Sequence, residues 1–269
     1  MTNPLVDMPR VLAKLRDNPL ERVLATVSFP SVLKIIEPSG AGIAAFQEEV
    51  RATYPHLVFE QQSAVRIQMG AEAGEIQTTV ENTPVWRFFD THERVWRVSL
   101  TAQAISLETI SGYAGREDLV DRLLVLTDAL LRTLKPAEIS RVGYRYLNIF
   151  GSDKLAGLSR FVRPELRAFC DEPFAERLCM SANQTWFKAL DGALMIKHGM
   201  LEAGMRHEFL DEPVTSRKWY LDLDSWSDDA SPFEASLIRT RSEQLTARIC
   251  AFFDWAVTEE FINEYRADA

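Results

Sequence analysis

The chain of 269 residues holds little of what usually marks a function in a sequence. Cysteine is scarce: Cys170, Cys179 and Cys250 are an odd, scattered set, which excludes a disulfide framework. Cys170 and Cys179 stand too far apart for a CxxC metal knuckle, so all three read as reduced thiols of a cytoplasmic protein. Histidine is also scarce. His56, His92, His198 and His207 form no HExxH or HxH ligand pair. No apolar run reaches the roughly 18 residues of a membrane span. Residues 1–22 mix charges with apolar side chains, so no signal peptide is expected. Neither GxSxG nor GxxxxGK[ST] occurs, and Gly40 and Gly42 in SGAG suit the start of a helix instead.

A basic excess is missing as well. Lys and Arg number 30 against 39 for Asp and Glu, a formal net charge of −9. Residues 1–138 carry 14 basic and 18 acidic side chains, and residues 139–269 carry 16 and 21. Binding to nucleic acid is largely phosphate neutralisation, so neither half reads as a nucleic-acid module. What is present is ordinary globular material, 46% hydrophobic and 26% charged, on a chain long enough for a sizeable core.

The pattern of that material predicts an α+β protein. Glu21 to Ile36 reads as a strand that bends or ends at Pro30. From Gly42, Ile43, Phe46, Val50 and Tyr54 recur at helical spacing, with Ser39 as cap and Pro55 as stop. Strands are expected over Leu57 to Met69, Val85 to Phe89, Val95 to Ala102 and Ala104 to Ile110, with a hairpin at Asp90 to Glu93. A helix follows from Arg116 to Leu134, striped by Leu119, Leu123, Leu126 and Leu130. The order then restarts: a strand from Ile139 to Phe150, a helical stretch from Leu155 to Phe169 broken at Pro164, three strands (Leu178 to Ala189, Leu194 to Met205, Lys218 to Trp226) and a long helix from Phe233 to Val257. The chain thus reads as two fused β-α-β(4)-α units, residues 1–138 and 139–269. Each is an antiparallel sheet with long helices on one face, either TBP-like or helix-grip-like, and the two share one core or a close interface.

The segment Ser140 to Phe150, SRVGYRYLNIF, resembles the central signature of a sporadically distributed prokaryotic family of uncharacterised proteins. These are about 250–270 residues long, enough for one large domain or two small ones. The family motif runs Arg-Ile-Gly-Leu-Arg-Tyr-Ile-Asn. It is matched here by Arg141, Gly143, Arg145, Tyr146 and Asn148, with Val142, Tyr144 and Leu147 as apolar exchanges. Phe46-Gln47-Glu48-Glu49 with Tyr54-Pro55, Trp86-Arg87-Phe88, Ile105-Ser106-Leu107 with Tyr113, Leu221-Asp222-Leu223-Asp224, and Phe253 with Val257-Thr258-Glu259 follow the family's order. The chain departs from it at Thr246, where the family often has a histidine. The resemblance brings no activity with it. The family's patchy distribution implies defence or mobile-element loci.

Five residues are candidates for ligand binding. Arg141 and Arg145 lie four apart on one strand and so share a face, where two guanidinium forks can clamp a phosphate or carboxylate. Asn148 joins them only if a bulge turns it. Arg87 and Arg97, with Arg66, would add to an arginine-lined open face. The competing reading is structural, with arginines tying strands to acidic partners or standing solvated on a half-exposed sheet. Asp222 and Asp224 alternate with leucines and share a face, as paired carboxylates for acid–base work or Mg²⁺ would; no metal is expected there, and Asp228 and Asp229 read as loop and cap. His198 with Lys197 could serve as a base. Trp86, Trp96, Trp186, Trp219 and Trp226 sit on strands, where core packing or a stacking face would use them.

These features predict a non-catalytic binding or accessory protein without a cofactor. It would hold a protein partner or small anionic ligand on a sheet face or in a groove between units. A nucleotide-processing or phosphate-handling enzyme using Arg141 and Arg145 with Asp222 and Asp224 is the second reading, and nucleic-acid binding through the sheet the third.

Overall fold

A computed structural model of the chain describes residues 15–37, 39–69, 76–90, 95–109, 113–171 and 173–267, with side chains except at 63–69, 76–81, 152 and 153. The expected hairpin turn at Asp90 to Glu93 lies mostly outside these residues, as do His92 and the side chain of Arg66. In chain order the elements are β1 (Leu20–Ser28), α1 (Ala41–Val50), β2 (His56–Met69), β3 (Ile76–Phe89), β4 (Trp96–Thr101), β5 (Ala104–Thr109), α2 (Arg116–Thr133), β6 (Glu138–Ile139) and β7 (Arg141–Phe150). Then come α3 (Ser152–Ala156), α4 (Leu158–Phe161), α5 (Pro164–Arg167), β8 (Ser181–Ala189), β9 (Gly192–Leu201), β10 (Lys218–Ser227), β11 (Ser231–Pro232), α6 (Ala235–Ala256) and α7 (Glu259–Tyr265). The fold is α+β, and its strands pair antiparallel.

The chain forms two compact units, and neither is one unbroken stretch. One gathers Met1–Ala25, Arg141–Asp229 and Ser236–Ala269; the other is Thr26–Ser140 with Ala230–Ala235. The division expected after residue 138 falls close to the change at Ser140/Arg141, but the start of the chain joins the later unit and a short piece of the later chain joins the earlier one.

The unit built mainly from Thr26–Ser140 pairs β2, β3, β4 and β5 in sequence order. Proline punctuates it as its missing N–H requires: β1 ends two residues before Pro30, and a short 3₁₀ turn at Leu33–Ile35 replaces the longer strand expected there. The apolar spacing of α1 buries Ile43, Phe46 and Val50, and Phe46 meets Phe88 of β3 edge-on at 5.4 Å. The stripe of α2 lies in the core with Leu119, Leu123, Leu126 and Leu130 fully buried, against a sheet face of Val98, Leu100, Ile105 and Leu107.

The other unit is ordered β7-β10-β9-β8, with β1 flanking β7. Its core is aromatic. Phe261 of α7 packs on Phe150 of β7 at 5.6 Å, Phe161 of α4 at 5.7 Å and Tyr265 at 4.9 Å, and Phe150 meets Trp219 of β10 at 5.1 Å. Thr258 caps α7 by accepting from the Phe261 amide. The expected break at Pro164 is real: the stretch is three short helices, and the proline opens the last of them. Gly192 holds the β8–β9 turn at φ +149, where a Cβ would meet the Trp226 carbonyl oxygen at 1.8 Å.

Candidate functional site

The signature strand β7 displays alternating faces, and the register of its neighbours fixes what lies beside each residue. Arg145 stands opposite Asp224 of β10, Asp224 opposite Met195 of β9, and Met195 opposite Trp186 of β8. The same alternation puts Arg141, Gly143, Arg145 and Leu147 on one face with Tyr220, Asp222, Asp224, Trp226 and Lys197. The opposite face carries Val142, Tyr144, Tyr146 and Phe150 into the aromatic core.

Asn148 belongs to that core face. The β7–β10 register runs unbroken from Val142 to Phe150, so no bulge turns it, and its amide donates to the Leu221 carbonyl at 3.2 Å. Arg141 and Arg145 share a face, as spacing predicts, but engage different carboxylates, Asp228 and Asp222. Arg145 is closed on Asp222: Nε reaches the two carboxylate oxygens at 2.9 and 3.1 Å, and a terminal nitrogen reaches Oδ2 at 2.5 Å. That terminal nitrogen also donates to Glu208 at 2.5 Å, which Lys197 holds from the other side at 2.5 Å. Arg87 and Arg97 lie in the other unit. Arg87 pairs with Glu60 at 3.0 Å, and Arg97 is bonded to the buried carboxylate of Glu108 through two guanidinium nitrogens.

A loop missed in the sequence completes the ion cluster. Residues 202–217, between β9 and β10, fold back over the strand face, where Val214 joins Leu147, Leu201 and Tyr220 with Met205, Phe209 and Leu210 around them. The loop closes on itself through the Gly204 amide to the Val214 carbonyl and the Val214 amide to the Met205 carbonyl. It places His207 over Asp222, Nε2 to Oδ2 at 3.5 Å, and lays Phe209 under the Arg145 guanidinium at 4.8 Å. The His207 Nδ1 accepts the Phe209 amide, so Nε2 carries the proton of the neutral ring. Burial lowers its pKa, with Asp222 opposing. His198 lies across the sheet from it, buried in the core, and burial lowers its pKa too.

Charge explains the titration of this cluster. Burial opposes the charge of Arg145, but the hydrogen bonds and field of Asp222, then Glu208, hold it on. The Lys197 hydrogen bond, against burial and aided by Arg145, holds the Glu208 carboxyl down at about 2. A carboxyl depressed on folding stabilises above its ordinary pKa of 4.5 and loses that contribution as the pH falls toward 2. The wild type is therefore expected to lose more stability between pH 4.5 and 2 than Glu208→Gln does. Equal loss in paired acid-denaturation curves would contradict the assignment.

The uncovered part of this face is different. Asp224 is half-buried, and among the described residues no hydrogen bond or ion pair reaches its carboxylate. Burial raises its pKa, with Arg141 and Arg145 opposing. The Arg141 guanidinium lies over Trp226 at 4.8 Å, and Trp186 of β8 packs on Trp226 at 5.4 Å. Gly143 lies beneath this stack, where a Cβ would make ordinary contact at 3.6 Å with Trp226 and 3.8 Å with Arg141 Nε. That Nε is buried with no hydrogen-bond partner, and the Asp228 carboxylate stands 3.8 Å from it. Trp226 donates to Asp228 at 2.8 Å. Trp186 remains 66% exposed.

Among the described residues no set of three or more His, Cys, Asp or Glu is placed to hold a metal ion, and no helix is long and apolar enough to cross a membrane. Cys170 is buried, and burial raises its thiol pKa, away from the thiolate that a nucleophile needs. Thr246 is buried and bonds back to the Ser242 carbonyl. No family model and no curated protein matches the chain. Among solved structures, a Pseudomonas aeruginosa T6SS protein is similar at 12% identity over 69% of this chain and 71% of that one, with a TM-score of 0.25, a likeness that carries no argument.

Proposed function

We propose that the chain is a non-catalytic binding protein that holds a protein partner by accepting an extended apolar strand along β8. One observation carries the reading. Among the described residues of the unit that contains β8, the exposed large apolar side chains are Phe169, Phe174, Met180, Trp186 and Leu190; Trp186 lies in that strand, and Met180 and Leu190 flank it in sequence. Among the described residues β8 pairs on one side only, with β9, and its other backbone edge is open. It is nine residues long and carries a single charge, Lys188. Edge strands that stay alone are usually short, charged or bulged, and this one is none of these. Strand addition uses such an edge: backbone hydrogen bonds supply affinity and alternate side chains supply choice. Trp186, backed by Trp226 and Arg141, has the aromatic and arginine make-up of an interface hot spot.

The enzyme reading loses its centre, because Arg145 and Asp222 satisfy each other and Glu208 takes the remaining charge. The two-unit reading, TBP-like or helix-grip-like, is supported by element order: strand, helix, four strands and a helix, then a strand, short helices, three strands and a helix. An accessory role at a defence or mobile-element locus accords with the resemblance of the Arg141 to Asn148 signature.

The test is native mass spectrometry of the chain purified from its source, paired with amide exchange. The expected result is a stoichiometric protein partner whose presence slows exchange across Ser181–Ala189. Trp186→Ala is expected to weaken that complex by about 30-fold or more, as loss of a hot-spot tryptophan does. A partner that leaves β8 exchange unchanged, or binds the variant equally well, would refute the reading.

A further inference from the structure

The β2–β3 hairpin outruns the sheet that carries it. Its strands pair residue for residue over 14 positions, from His56↔Phe89 to Met69↔Ile76. The next strand, β4, pairs only with Trp86–Phe89 of β3. The ten pairs from Glu60↔Val85 to Met69↔Ile76 thus run on as a two-stranded ribbon, about 30 Å long at the usual strand rise. A ribbon of two strands is marginal in water and gains its stability from a third. Among the described residues no strand pairs with the outer edge of β2.

The two sides of the ribbon differ. The stretch of β3 beyond β4 contains Pro84, a residue that sheets keep at unpaired edges. β2 has no proline, glycine or lysine, and its one-to-one register holds no bulge, so these guards of an exposed edge are missing. Its two formal charges are Glu60 and Arg66, and their spacing makes the strand complementary to itself. With a second β2 laid antiparallel about a twofold axis at Ser63, Glu60 of each copy stands opposite Arg66 of the other. The same register sets Phe59 opposite Ile67 and Leu57 opposite Met69. Phe59 has reason to be covered, since it is 50% exposed although it packs on Trp86 at 4.6 Å. Sliding by two residues sets Glu60 against Ala64 or Gln68 and loses both ion pairs. Sliding by one sets the Phe59 row against the Glu60 row. The Glu60 carboxylate meets Arg87 at 3.0 Å within its own copy and is half-exposed, which leaves it open to a second guanidinium.

We propose that the outer edge of β2 is a dimerisation edge, on which a second copy of the chain pairs β2 to β2, antiparallel about Ser63. The two ribbons then form one four-stranded sheet, with the two Glu60–Arg66 pairs fixing its register. Such an interface is isologous, so each ion pair occurs twice. β2 and β8 belong to different units, and the inference is independent of the partner proposed at β8.

Sedimentation equilibrium of the full chain across the micromolar range tests it. The expected result is a species of twice the chain mass of 30.6 kDa. Glu60→Arg and Arg66→Glu each turn both ion pairs into like-charge pairs, and each is expected to raise the dimer dissociation constant about 10-fold or more. Combining the two exchanges on one chain restores opposite charges and is expected to restore the dimer. Mixing the two single variants is expected to give a heterodimer as tight as the wild-type dimer, because all four positions are then matched. Arg66→Glu leaves the contact of Glu60 with Arg87 in place, so it carries the test if Glu60→Arg unfolds, and a wild-type circular dichroism spectrum certifies each variant as folded. A chain that stays monomeric, a dimer that Arg66→Glu leaves intact, or a double exchange that associates no better than Arg66→Glu alone would each overturn the proposal.

Discussion

Asp222→Ala is expected to lower the melting temperature by roughly 10 °C, from a loss of about 3–5 kcal/mol spread over a chain of this size. The reason is the position of Arg145. Its side chain is 18% exposed and the Asp222 side chain is 1% exposed. Removing the carboxylate leaves a guanidinium in a poorly solvated place whose remaining hydrogen-bonded carboxylate, Glu208, is half-exposed. His207 loses the acceptor above which it lies, and the loop of residues 202–217 loses one of its ties to the sheet. Removing both charges is different: Arg145→Met with Asp222→Leu replaces the pair by apolar volume and is expected to recover most of the loss. Calorimetry of the two variants beside the wild type decides it. A shift under about 3 °C for Asp222→Ala would mean that water reaches the pair and that the cluster does not hold the loop.

Phe261→Ala is expected to cost about 4 kcal/mol, the range for deleting a fully buried phenylalanine. Phe261 is 0% exposed and touches rings from two other helices, its own helix and a strand: Phe161, Phe253, Tyr265 and Phe150. The helix that carries it is only seven residues long, too short to persist without that packing. The loss should therefore appear as detachment of α7 before the unit melts, seen as early exchange of the Glu259–Tyr265 amides. A variant that melts within about 1 kcal/mol of the wild type, with α7 still protected, would show that the cavity collapses without harm.

Much of this architecture was legible in the sequence because it is written in periodicity. Leu119, Leu123, Leu126 and Leu130 could only be one face of a helix, and all four are fully buried. The alternation in Ser140 to Phe150 separated Arg141 and Arg145 from Asn148, and the register keeps them separate. Pro30 and Pro164 marked real boundaries, since proline acts through its own missing donor and fixed φ. What was not legible depends on distant pieces of chain. Lys197 and Asp222 stand directly opposite each other, but that follows from a hairpin register with a loop of residues 202–217 between the strands. Nothing periodic marks Glu208 or His207, because a loop side chain is placed by the surface onto which the loop folds. Arg145 and Asp222 were both singled out, and their pairing with each other was not, since strand order decides it. Asp224 and Asp222 look alike in LDLD, yet one is matched and the other open, and only the arginine across the strand tells them apart.

The way the chain is divided bears on how it is made. Unit-forming segments Met1–Ala25 and Arg141–Asp229 are separated by about 115 residues, which a ribosome takes on the order of ten seconds to add. During that time β1 has no β7 to flank. The aromatic core must wait longer still, until Phe261 has been made. The intervening segment, Thr26–Ser140, has most of its own unit in hand much earlier. The first strand is thus made well before β7, the strand it flanks. A truncation after Val257 removes α7 and should leave a chain that chaperones retain.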